Sequence, residues 1–297
     1  MKLFTIFLLI IFFSTGCKTN KKQQSKIQKT DKAPNSLVEV SKGLQDILKD
    51  IETIEKVLDG TDTGDARAKE QEKEKKEEQE KEKKEEEQKE EEQKKDSGSD
   101  GKKQSEDKAS AQDNNKKKLL DKDEKLLKEW EKVDKKIEDV HGKWNTYETQ
   151  AIKKGATTDK IDKFGESLNA LTKSIEMRNI GEIYDFGSQS MLNLRPMFDL
   201  YMDEIKGDIN KLKYITYQCY LKAIKGNPTE GLALLKESEE DVQKIRLKLK
   251  KKDSKIEILD KVNLSMVDMK KSLPMSSIKL IRIKKDIIIK NLEELEK

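Results

Sequence analysis

The chain has 297 residues, 41% of them charged and 33% apolar. That balance is too polar for one compact globule, so part of the sequence lies outside any core. The formal net charge of +4 is the small difference between 63 basic and 59 acidic residues. It argues against a nucleic-acid partner, because domains that bind DNA or RNA carry a clear basic excess.

Met1 and Lys2 form a short positive start, and Leu3 to Ser14 follow as twelve almost entirely apolar residues. Twelve is too short to cross a bilayer, which takes about 20 residues, but it suits the apolar region of a secretory signal peptide. Ser14, Thr15 and Gly16 then lead to Cys17. This pattern resembles a bacterial lipoprotein signal peptide with its lipobox, although Ser14 stands where that family usually has Leu. The resemblance implies cleavage between Gly16 and Cys17 and a diacylglyceryl group on Cys17. Two acyl chains suffice for stable anchoring where one does not. It therefore implies an exported protein held on the bacterial cell membrane at its extracytoplasmic side. An ordinary signal peptide cut elsewhere, or an uncleaved anchor, is the alternative on the same residues.

On this reading residues 1–16 are the signal peptide and 17–35 a disordered leash. Residues 36–60 spell an amphipathic helix, with Leu37, Val40, Leu44, Leu48, Ile51, Ile54 and Leu58 at steps of three or four. Ser36 and Glu39 fit a capping box. The stripe needs a partner, either the main domain or another chain. Residues 66–95 are a charged run in which Lys69 to Lys95 holds only Lys, Glu and Gln, with EQEKEKKE repeated at 70–77 and 78–85. Glu-to-Lys pairs four apart, such as Glu72–Lys76 and Glu80–Lys84, favour a solvated single helix by roughly 0.2–0.5 kcal/mol each. With no apolar stripe the run cannot be a coiled coil, and a disordered polyampholyte is the alternative. Residues 96–116, rich in Ser, Gly, Asp and Lys, complete a spacer expected to hold the rest of the chain away from the membrane.

From Lys117 the apolar content rises, and residues 117–297 are long enough to bury a core. Leu119, Leu126, Trp130, Val133, Ile137, Val140, Trp144, Tyr147 and Ala151 form one stripe of a long heptad-type helix ending near Gly155. Ile161 to Ile175 make a second helix, and Asn179 with Glu182 cap a third that Pro196 should kink or break. Helical spacing resumes to Lys225. Gly226, Asn227 and Pro228 read as a helix–helix turn, and Ser254 with Glu257 as another capping box. Pro274 sets off a last helix with Ile281, Ile288 and Leu295 seven apart. The expected fold is all-α: a C-terminal multi-helix bundle of six or seven helices, preceded by a long charged, partly helical tether.

Chemistry-bearing residues are few. The two cysteines, Cys17 and Cys219, and the one histidine, His141, cannot build a four-ligand Cys/His zinc site. No HExxH, GxGxxG or Walker-type motif is present, so no metal, cofactor or catalytic residue is assigned. With Cys17 lipidated, Cys219 has no disulfide partner within the chain and reads as a small apolar packer. His141 reads as a rim residue. Tyr184, Asp185, Phe186, Phe198, Asp199, Tyr201, Asp203 and Glu204 could line a pocket, but such a set more often forms a core with an acidic rim. Lys244, Arg246, Lys248, Lys250, Lys251 and Lys252 are a candidate patch for an anionic partner, against the alternative of a cationic helix C-terminus.

The layout resembles the charged-repeat surface lipoproteins of bacteria. The expected function is a lipid-anchored protein presenting a binding or structural domain, with an envelope protein or an anionic wall polymer as candidate partner. The alternative is an envelope enzyme using acidic residues in a bundle cleft. Homo-oligomerisation through the Leu126–Tyr147 stripe is a further candidate.

Overall fold

A computed structural model describes residues 32–60, 107–202 (107–119 as backbone only), 205–249 and 254–297. The signal peptide, Cys17, most of the leash, the 66–95 run, linker residues 96–106, Asp203, Glu204 and Lys250–Lys252 lie outside the described residues. Eight α-helices are present among those described: α1 Asn35–Leu58, α2 Asp107–Lys153, α3 Thr158–Glu176, α4 Ile180–Phe198, α5 Lys206–Ile224, α6 Pro228–Lys248, α7 Lys255–Ser272 and α8 Ile278–Glu296. A 3-10 turn at Leu273–Met275 joins the last two, and no strand occurs among the described residues. The chain folds as an all-α bundle.

The local signals explain most helix ends. Asn179 accepts a hydrogen bond from the Glu182 amide at 3.2 Å, as its spacing predicts. Gly226, with φ +79°, closes α5 in the left-handed conformation that glycine adopts without a Cβ clash. The helix containing Pro196 ends two residues later at Phe198, and α5 starts afresh at Lys206, so the proline marks a break. Three expectations are corrected. Ser36 does not cap α1, which starts one residue earlier after extended Pro34. Glu39 instead reaches Lys143 on α2 at 3.1 Å. Ser254 precedes α7 with a helical backbone and makes no side-chain cap bond. Finally, α2 begins at Asp107, inside the stretch 96–116 that reads as a linker.

The apolar stripe of α1 finds its partner within the chain. Leu37, Val40, Leu44, Ile47, Leu48, Ile51 and Ile54 are fully buried, as are Val133 and Tyr147 of α2. Burying a Leu, Ile or Val stabilises by about 1.5–3 kcal/mol, so α1 contributes on the order of 10 kcal/mol of gross transfer free energy. The helices approach closely at two glycines. A Cβ at Gly187 of α4 would lie 2.7 Å from Leu48 Cδ2, and one at Gly43 would collide with Val140 Cγ2. The Leu126–Tyr147 stripe, a candidate oligomer surface on sequence, is therefore occupied by α1.

This packing changes what the charged run can do. α1 and α2 are antiparallel: Glu39 meets Lys143, Asp50 meets Lys136 at 2.6 Å, and the Leu58 carbonyl accepts from Lys122 at 3.1 Å. Residues 61–106 thus join the C-terminal end of α1 to the start of α2. They are an insertion between two packed helices and do not separate the bundle from the N-terminus. Only the residues before α1 do that.

Two shortened chains separate these arrangements. A 117–297 fragment, lacking α1, should lose cooperative thermal unfolding by circular dichroism, and a 33–60 peptide added in trans should restore it. Excising residues 66–95 should leave the melting temperature nearly unchanged, because shortening a long loop alters closure entropy only slightly. A stable, cooperative 117–297 fragment would contradict the assigned role of α1.

Candidate functional site

The face of α8 that enters the core carries Ile281, Ile288, Leu292 and Leu295, and Lys285 falls on the same face with no exposure. A buried ammonium is costly unless paired and hydrogen-bonded. Lys285 Nζ lies 2.5 Å from Glu52 Oε1 of α1 and 2.7 Å from Asp286 Oδ1. Three fully buried tyrosines surround it. Its Nζ is 5.5 Å from the ring centroid of Tyr184 on α4, and 5.4 Å and 5.3 Å from those of Tyr217 and Tyr220 on α5. At these distances the negative ring faces supply cation–π attraction, which is strongest where water is excluded. The rings also pack on one another, Tyr184 stacked on Tyr217 at 5.6 Å and edge-on to Tyr220 at 5.9 Å.

Each tyrosine hydroxyl ends on a carboxylate of α1. Tyr184 donates to Glu55 Oε2 at 2.8 Å and Tyr220 to Glu55 Oε1 at 3.0 Å. Tyr217 donates to Glu52 at 3.2 Å. Arg282, one turn before Lys285, donates to the Tyr220 hydroxyl at 3.2 Å, to Glu55 at 3.4 Å and to Asp59. Toward the other end of α1, fully buried Lys213 donates to Gln45 and, at 2.6 Å, to Glu296. Ser41 donates to Asn210 at 3.1 Å. One side of α1 is thus an apolar seam against α2 and α4, and the adjacent side a polar seam against α5 and α8.

Burial is the largest influence on Glu52 and raises its carboxyl above the ordinary range, with Lys285 acting in the opposite direction. Burial likewise pushes the Tyr184 and Tyr217 phenols well above their usual value and Tyr220 to about 12. The phenols therefore stay protonated and serve as donors. The cage is filled by the protein's own lysine, so the arrangement works as an internal latch joining α1, α4, α5 and α8.

The residues singled out by sequence are scattered. Tyr184 belongs to the latch. Asp185 accepts from Gln189 and Gln218, each at 2.7 Å. Phe198 and Tyr201 are core residues, and Asp199 is exposed. The His141 ring contacts Thr172 at 2.8 Å, and partial burial lowers its pKa. Cys219 is a buried free thiol, pushed up to about 12 by burial. In the basic patch Lys244 pairs with Asp241 at 3.4 Å, Lys248 with Asp208 at 2.6 Å, and Arg246 with Asp260. An open groove of about 370 Å³ lies between the start of α3 and the end of α4, lined by Lys160, Lys163, Asn193, Arg195, Pro196 and Asp199 among others. No group of three or more His, Cys, Asp or Glu side chains among the described residues could hold a metal ion.

The latch itself was not read from sequence. One signal was there: Lys285 lies four residues after Ile281 and three before Ile288, on the inward stripe. The latch carboxylates Glu52 and Glu55 sit beside Ile51 and Ile54, and nothing local pairs them with Lys285 and Arg282 of α8. The fold and the latch define an all-α bundle closed by an internal charge cluster. No protein-family model, curated protein or solved structure matches the chain.

Replacing Lys285 with Ala should destabilise the bundle by about 3–5 kcal/mol, because it strands Glu52 beside the phenols. The Lys285→Met, Glu52→Gln double variant should recover much of that loss in denaturant unfolding, and losses that simply add would argue against direct coupling. The pH dependence has a definite sign. A carboxyl whose folded pKa is raised binds its proton in the native state first, so its contribution to stability falls as pH rises from the ordinary carboxyl range through the raised value. The stability of the unmodified protein relative to Glu52→Gln should decline with rising pH across that window, and a flat or opposite slope would contradict the assignment.

Proposed function

We propose that this chain is an exported lipoprotein, anchored through a diacylglyceryl group on Cys17 at the extracytoplasmic face of the bacterial cell membrane. Its helical bundle serves there as a binding or structural domain. The observation that carries the proposal is the stretch Leu3 to Cys17, an apolar run of signal-peptide length ending in Ser14, Thr15, Gly16 and Cys17. The bundle is compatible with this placement. No helix among the described residues is long and apolar enough to cross a membrane, so attachment falls to the N-terminal segment.

A binding or structural role is favoured over hydrolysis by the state of the raised carboxyl. A general acid needs a carboxyl that substrate can reach, whereas Glu52 Oε1 accepts from both Lys285 and Tyr217 beside fully buried rings. The candidate partners are an envelope protein and an anionic wall polymer. Lys244, Arg246 and Lys248 each have a carboxylate partner in the chain, but Asp241 is shared with Lys211 and Asp208 with Arg195.

Cys17→Ala should abolish acylation, measured by metabolic labelling with a fatty acid and by intact mass. It should also shift the protein from the membrane fraction to the soluble one. Unchanged lipid labelling and membrane retention would refute the anchor.

A further inference from the structure

The antiparallel pairing of α1 and α2 gives the bundle two distinguishable ends. At one end lie the start of α1, the α2–α3 turn, the break between α4 and α5, and the end of α6. Tyr201, in the α4–α5 break, contacts Tyr147 near the end of α2 at 3.5 Å. Asp208 at the start of α5 joins Arg195 of α4 at 2.9 Å to Lys248 of α6 at 2.6 Å. At the other end lie the close of α1, the α5–α6 turn and the start of α8, joined by Asp59, Tyr220 and Arg282. The ends are separated by the length of α1, 24 residues or roughly 36 Å.

Both ends expose large apolar side chains. Ile152, Met202 and Leu247 stand out at the first end, 61%, 43% and 87% exposed, and Leu58, Ile224, Met275 and Ile278 at the second, 47%, 39%, 67% and 38% exposed. Exposure alone does not choose between them, but the chain path does. Residues 18–34, seventeen in number, join Cys17 to the first end. A random coil of that length has a mean span of roughly 23 Å. That keeps the first end near the anchor, whereas seating the second end on the bilayer would need the same segment to reach back along the bundle. Ile152 is followed by Lys153 and Lys154, and Leu247 lies between Arg246 and Lys248. An apolar side chain beside long cationic ones suits the boundary between acyl chains and anionic headgroups.

We infer that the bundle stands end-on, with Ile152, Met202 and Leu247 facing a lipid surface and the close of α1 pointing away from it. The inference rests on the lipid anchor proposed above. It assigns a membrane-contact surface made by Ile152 before the α2–α3 turn, Met202 after α4 and Leu247 at the end of α6. It also places the close of α1 at the end remote from the membrane.

The test uses the full acylated chain in vesicles of phosphatidylcholine and phosphatidylglycerol. Single cysteines, Ile152→Cys and Leu247→Cys at one end and Leu58→Cys and Ile278→Cys at the other, carry an environment-sensitive fluorophore. Cys17 bears the lipid, and Cys219 is buried with its thiol pKa at about 12, so neither competes for label. Headgroup-quencher lipids should quench the probes at 152 and 247 several-fold more than those at 58 and 278. Equal quenching, or stronger quenching at 58 and 278, in a protein whose acylation is verified by mass overturns the orientation and leaves the anchor standing. Absence of the acyl group overturns both.

Discussion

A lysine ammonium on the inward face of a helix bundle has to be matched by a carboxylate, and the rest of this structure follows from where that carboxylate comes from. Lys285 meets it at Glu52, 233 residues earlier in the chain. The pair is one contact in a seam in which Glu52, Glu55 and Asp59 on α1 answer Lys285, Arg282 and three tyrosines on α4, α5 and α8. Such a seam adds less stability than apolar packing of the same volume, because desolvating the charges offsets most of their attraction. Its effect is on register. Sliding α1 by one turn would strand buried carboxylates and a buried ammonium together, whereas an apolar stripe alone tolerates such slips.

Once α1 is fixed in the bundle, the organisation of the whole chain changes. The Lys/Glu/Gln run becomes an insertion between antiparallel partners, and the segment that can act as a tether shrinks to residues 18–34. The run's alternating charges suit a solvated element that needs no core, which is compatible with either position. The difference matters for the proposed anchor, since only residues 18–34, seventeen in number, stand between Cys17 and the bundle.

Much of the helical architecture was legible in the sequence. Most of the α1 and α2 stripes and the inward residues Ile281, Ile288 and Leu295 were placed by spacing alone and are buried or packed against the core, Leu58 at the close of α1 being the exposed exception among the described residues. The Asn179 cap and the Gly226–Pro228 turn were equally local and equally readable. Local rules failed where a tertiary contact offered a polar side chain something better. Glu39 left its expected capping role for Lys143, and Arg246 and Lys248, which read as free cations at a helix end, are matched by Asp260 and Asp208. The latch was missed because charged residues on a lysine- and glutamate-rich helix look solvated until a neighbouring element covers them.

By itself, the sequence determined that the C-terminal two-thirds of the protein is helical, where each helix turns its apolar face, and which residues form the proposed anchor. Those properties depend on neighbours three, four or seven positions apart, or on one contiguous segment. Only the tertiary structure decided that α1 belongs to the bundle, that Lys285 is caged by tyrosines and paired with Glu52, and that the charged run is an insertion rather than a stalk. Those outcomes depend on which faces meet, and the pairing of groups more than two hundred residues apart leaves no periodic trace along the chain.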